Sequence, residues 1–159
     1  MTIAEIFDRN DAIGMAALVK KGDVRPAELL EEAIQRTERV NGELNAVIHP
    51  LYEAARSRAR GELTGPFAGV PIVVKDLDGQ LAGAPYHGGN KLLKARGNVA
   101  TTTSYIFEKL QAAGCVIVGK TNTPEFGTIA FTESELNGAT RNPWSPDRTP
   151  GGSSGGAAA

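Results

Sequence analysis

Between Pro26 and Val40 the residues Leu29, Leu30, Ala33, Ile34, Thr37 and Val40 recur at the spacing of one helical face, while Glu31, Glu32, Gln35 and Arg39 fall on the other. Pro26 suits a first helical turn, where its missing N–H costs nothing, and Asn41-Gly42 is expected to end the helix. The charged face reads as a solvated surface. Upstream, residues 2 to 22 predict one or two short helices capped by Thr2 and Asp11, with Ile13, Ala16, Ala17 and Val19 ahead of a stop at Gly22. Ala46-Val47-Ile48 is a short apolar run, and Glu53 to Arg60 predicts a charged helix closed by Gly61.

The pattern then changes. Gly65-Pro66-Phe67-Ala68-Gly69 is rich in turn residues and leads into Val70-Pro71-Ile72-Val73-Val74, a β-branched run that stops at Lys75-Asp76. A lysine there either snorkels to solvent or is buried with a purpose, and composition leaves both open. Residues 77 to 99 show little periodicity and read as a long excursion. Thr101 to Ala113 returns to a helical pattern, capped by Thr101 or Thr102, with Ile106, Phe107, Leu110 and Ala113 facing inward and Gly114 as the stop. Cys115-Val116-Ile117-Val118 comes next as a second buried strand. Strand, helical crossover and strand is the order of parallel pairing, so the two runs are expected side by side in an α/β sheet. Thr123-Pro124-Glu125 can start a short helix, and from Asn137 to Gly152 only loop residues appear. These patterns divide the chain into a helical region, residues 1–64, and the start of an α/β core, residues 65–159.

Composition narrows the function classes. With 159 residues, 41% hydrophobic and 22% charged, the chain is an ordinary globular sequence. A net charge of -1 without a basic stripe argues against a nucleic-acid partner. Glu5, Asp8 and Arg9 interrupt any apolar signal core, and no run approaches membrane-spanning length, so no membrane partner and a cytoplasmic location are expected. Cys115 is the sole cysteine, which rules out an internal disulfide or thiolate cluster and reads as core filler. His49 and His87 are the only histidines, so His49 reads as a loop residue, and neither a metal nor another cofactor is expected.

Gly114 to Thr121 fits the spacing of a phosphate-binding P-loop, yet strand-forming residues fill what should be a bare loop, a helix precedes it, and Pro124 comes soon after. That reading fails on context. A stronger signal is Pro150-Gly151-Gly152-Ser153-Ser154-Gly155-Gly156, where four glycines allow close backbone approach around two serines and three alanines favour a helix after them. We read it as an active-site loop entering a helix.

Four segments in order, Gly69–Asp76, Gly119–Gly127, Asn142-Pro143-Trp144 and Pro150–Gly156, together resemble the amidase signature family, and the resemblance extends from the helical N-terminal region to Ala159. It implies a mixed sheet wrapped in helices and hydrolysis of amide bonds through a serine-serine-lysine triad. By the same resemblance the catalytic base falls on Lys75 and the bridging serine, in a cis conformation, on Ser153. Lys120 matches a family lysine without that role. Gly127 and Thr128 fall on a loop lining the acyl pocket, and Ser153 and Ser154 on the substrate side. The nucleophilic serine belongs to a later glycine-rich segment that this sequence does not reach, so the chain is expected to be inactive alone, with an unpaired sheet edge that weakens it.

A lysine serves as a base at neutral pH only where its surroundings disfavour the charged form, and a serine hydroxyl between base and nucleophile can donate and accept at once. Asn122–Gly127 is similar to the branch acting on small linear or cyclic amides, including aminohexanoate oligomers and aryl amides. The segment Leu77-Asp78-Gly79 through Gly88-Gly89 departs from the usual family pattern. The expected partner is therefore a small-molecule amide, with a homo-oligomer possible. The alternatives are the A subunit of a tRNA-dependent amidotransferase and a non-catalytic amidase remnant.

Overall fold

The computed structural model describes residues 1–159. Three helices, α1 (Ile3–Arg9), α2 (Ala12–Lys21) and α3 (Pro26–Leu44), lead into strand β1 (Val47–Pro50) and helix α4 (Tyr52–Arg60). Next come strand β2 (Pro71–Lys75), the short α5 (Lys91–Ala95), α6 (Tyr105–Ala112) and strand β3 (Val116–Thr121). A 3-10 turn (Glu125–Gly127), a hairpin of β4 (Glu133–Ser134) and β5 (Gly138–Ala139), and α7 (Gly155–Ala158) complete the chain. No helix is long and apolar enough to cross a membrane.

The sheet is mixed, in the order β1-β3-β2. As the chain order predicts, β2 and β3 are parallel; β1 lies antiparallel on the other side of β3. Side chains alternate across β3. Val116 and Val118 pack with Leu30 and Ile34 of α3 and Ala55 and Ala59 of α4, while Ile117 packs with Val74 and with Phe107 of α6. A third cluster joins Ile6, Met15, Ala16, Val24 and Leu29 to Val70. Burying each such leucine, isoleucine or phenylalanine contributes roughly 1.5–3 kcal/mol, so three clusters hold the sheet between helices.

Both strand pairs carry a register shift, before the polar end in β2–β3 and within it in β1–β3. On the β2 side Ile72 pairs with Ile117 but Val73 with Gly119, so Val118 is an extra residue, and on the β1 side Val47 and His49 pair with consecutive residues, Thr121 and Lys120. A bulge re-aims the side chains beyond it. Past the β2–β3 bulge lies the polar end of the sheet, which positions Lys75, Asp76 and Lys120.

Several boundaries differ from the sequence expectation, each for a tertiary reason. Helix α3 runs through Gly42 to Leu44 and ends at Asn45, because Asn41 caps the following turn with its side chain: its Oδ1 accepts from Ala46 and Val47 N–H at 2.9 and 2.7 Å. Val40, expected on the inward face, is exposed. Helix α6 begins after Ser104, not at Thr101 or Thr102. Thr103 and Ser104 instead accept from Ala82 and Gln80 of the excursion, which pins it to the helix start. Of the residues expected inward, Phe107 is 2% exposed but Ile106 is 50% exposed. Strand β5 falls within what read as structureless loop, pairing with β4 just before it, and α5 occupies part of the excursion. His49 lies in β1 and not in a loop.

Phe107→Ala is expected to destabilise the chain by about 3–5 kcal/mol and Ile106→Ala by less than about 1 kcal/mol, measured by urea unfolding; equal effects would overturn the orientation of α6.

Candidate active site

Lys75 closes β2 at the same end of the sheet where β3 closes with Lys120 and Thr121. The lysine is 7% exposed, so it does not snorkel to solvent. Its Nζ lies 2.8 Å from Ser153 Oγ, and the Asp78 carboxylate is 3.8 Å from the same nitrogen. The peptide joining Gly152 to Ser153 is cis.

The serine loop is held by backbone packing that only glycine permits. A Cβ on Gly152 would meet the backbone of Phe131 at 2.7 Å, and one on Gly156 would meet Asn122 N at 2.5 Å. Bare backbone therefore lets the loop lie against Phe131 and the start of α7 against the buried Ala46 and Asn122. Thr132, fully buried, braces both flanks of Ser153: its hydroxyl accepts from Gly155 N–H at 2.8 Å and donates to Gly151 O at 3.0 Å. Sequence reasoning missed Thr132, because nothing local distinguishes it from any other loop threonine.

Beside Lys75 sits a buried polar cluster. Asp76 and Lys120 are both 0% exposed and form an ion pair. Asp76 Oδ2 accepts from the backbone N–H groups of His87 and Gly88 at 3.3 and 3.0 Å, and His49 Nε2 lies 3.6 Å away, too far for a hydrogen bond but close enough for its field to act. Burial works against the charged carboxylate, yet His49 and Lys120 outweigh it and hold Asp76 below its ordinary range. Burial lowers the proton affinity of the Lys120 ammonium, with Asp76 acting in the opposite direction. His87 meets His49 edge-on, ring centroids 4.9 Å apart, and burial, helped by His49 and Lys120, pushes its imidazole down from its usual value. The two histidines, read separately from sequence, are thus neighbours in one cluster.

The remaining predicted residues are distributed around this centre. Gly127, at φ +69°, abuts Ser153, whose Oγ would lie 3.7 Å from a Cβ at that position. Thr128 is exposed and donates to Glu125 O at 2.9 Å. Ser154 is exposed at the start of α7, and its hydroxyl does not bond to the helix N-terminus. Lys120 points to Asp76 and Pro85 O and not to Ser153. Cys115 is buried and its thiol is pushed up by desolvation, the state of an inert core residue.

Comparison with known proteins gives the family of the chain. A family model described as Amidase matches residues 28–159, and the chain belongs to the amidase family. It is 47% identical over 149 residues to the 6-aminohexanoate-cyclic-dimer hydrolase of Pseudomonas sp. (strain NK87), a match covering 94% of this chain and 30% of that protein. A solved structure of 6-aminohexanoate cyclic dimer hydrolase superposes with a TM-score of 0.89 at 46% identity, over 93% of this chain and 30% of the other. The A subunit of glutamyl-tRNA(Gln) amidotransferase from Lachnospira eligens is 41% identical over 160 residues, covering 93% of this chain and 32% of the relative. The chain therefore spans about 30% of the length of the first of these relatives.

Two measurements test the cluster. Lys120→Met leaves the Asp76 carboxylate buried without its cation and is expected to cost about 3–5 kcal/mol in urea unfolding, with Asp76→Leu added to it restoring part of the loss. The lowered affinities of His87 and Asp76 mean that the unfolded chain binds protons more readily than the folded one. Stability is thus held above about pH 6.5 and falls as pH drops, first through His87 and then, below about pH 3.9, through Asp76. The urea midpoint should be lower at pH 5.5 than at pH 8, and His87→Gln should remove most of that difference.

Proposed function

We propose that this chain carries the lysine and bridging-serine half of an amide-hydrolysing site of the serine-cis-serine-lysine kind. The observation that carries the reading is the 2.8 Å contact between the buried Lys75 Nζ and Ser153 Oγ. In this reading the nucleophilic serine is supplied by chain beyond Ala159. As its oxygen bonds to the amide carbonyl carbon, its proton passes to Ser153 Oγ while the Ser153 proton passes to Lys75 Nζ. When the C–N bond breaks, the same path runs backwards and protonates the leaving amine. Water then attacks the acyl ester, giving its proton to Lys75 through Ser153, and as the ester C–O bond breaks that proton returns through Ser153 to the nucleophilic serine oxygen, which frees the acid and restores neutral Lys75.

Gly127 and Thr128 would border the acyl group, with Ser154 on the substrate side. The 47% identity with a cyclic-dimer hydrolase supports a small linear or cyclic amide as substrate. A second reading, the A subunit of an amidotransferase, is favoured by the 41% identity with that relative. Amide turnover by the purified protein extended past Ala159, without partner subunits, separates the two.

Residues 1–159 alone are expected to turn over no aryl amide. The protein extended past Ala159 should do so, with kcat reduced about 10²–10⁴-fold by Lys75→Ala or Ser153→Ala, as assayed by release of the aryl amine. Turnover by residues 1–159 that Ser153→Ala abolishes would show that no second serine is required and would overturn the mechanism.

A further inference from the structure

The turn from Pro85 to Gly88 closes around the Asp76–Lys120 pair residue by residue. Lys120 Nζ donates to Pro85 O at 2.7 Å and lies 4.9 Å from the centroid of the Tyr86 ring. The next two backbone N–H groups, of His87 and Gly88, donate to Asp76 Oδ2. Two routes lead from this clasp to the Lys75–Ser153 contact. Asp76 is the residue directly after Lys75 in the chain. Gly88 O accepts from Phe126 N–H at 2.8 Å, and the residue after Phe126 is Gly127, which abuts Ser153. The clasp therefore touches the supports of both partners.

Inside it, His87 is 7% exposed and its Nδ1 has no hydrogen-bond partner. The charged and titratable groups that face it are Asp76 at the end of β2, His49 on β1, Lys120 on β3 and Lys94 on α5. The single anion among them is already engaged by Lys120 and by two N–H groups. A proton on His87 would add a ring N–H without an acceptor and a further positive charge beside two lysines.

We propose that His87 is a positioning residue: its neutral imidazole lets the 85–88 turn grip Asp76, and protonation opens the turn and separates Lys75 from Ser153. The consequence for catalysis rests on the amide-hydrolase reading, whereas the opening of the clasp does not. In that scheme protonation of His87 lowers activity in acid.

Two measurements test it on different grounds. In the 15N-labelled protein the hydrogen-exchange protection factor of the Gly88 amide should fall at least about tenfold between pH 7.5 and 5.0, with the midpoint of the His87 imidazole resonances. Gly88 protection that persists to pH 5.0, whether His87 titrates or stays neutral, overturns the proposal without any reference to activity. In amide turnover by the protein extended past Ala159, the ratio of kcat at pH 5.5 to kcat at pH 8 should rise at least about threefold in His87→Gln. A purely structural role would lower kcat at both pH values and leave the ratio unchanged, which would also overturn it. Absence of amide turnover by the protein extended past Ala159 would remove the catalytic reading, and the Gly88 amide would still decide the clasp.

Discussion

A carboxylate removed from water must find donors, and Asp76 finds them on separate segments: the Lys120 ammonium of β3 and the N–H groups of His87 and Gly88 in the excursion, with the His49 imidazole of β1 close by. The need to keep this group paired fixes the loop where its sequence shows no periodicity. Buried ion pairs add little net stability compared with apolar packing, but a missing partner is costly, and that asymmetry makes the pair an orienting device. Lys75, one residue earlier, inherits a defined position from it.

The apolar clusters set the frame in which that pairing is possible. Alternation along β3 sends Val116 and Val118 to the α3 and α4 side and Ile117 to the α6 side, so the sheet is covered on both faces. The bulges then shift both strand registers close to the polar residues. Core packing and site geometry are joined at that point, since the strand that contributes Val116 and Val118 also contributes Lys120.

The serine loop reaches the lysine by a different route. It has little side-chain volume of its own and rests its backbone on Phe131 and Asn122, with Thr132 tying its two flanks. A loop seated in this way is positioned by what lies under it. Membership of the amidase family gives the Lys75–Ser153 contact a chemical context, and the proposed proton path requires only that a serine hydroxyl stand between a buried amine and a nucleophile.

Much of this is legible in the chain itself. The helix caps at Thr2 and Asp11, the apolar face of α3 and the serine loop entering a helix arise from local chemistry, because caps, periodicity and glycine runs act over a few residues, and the parallel β2–β3 pair follows from the order strand, helical crossover, strand. Lys75 and Ser153 stand out by resemblance to the family. The true end of α3, the start of α6, the burial of Lys75 and the meeting of His49, His87, Asp76 and Lys120 are decided only in three dimensions. Each depends on which distant group supplies a donor, an acceptor or a packing surface, and a residue's own neighbours in sequence carry no record of that partner.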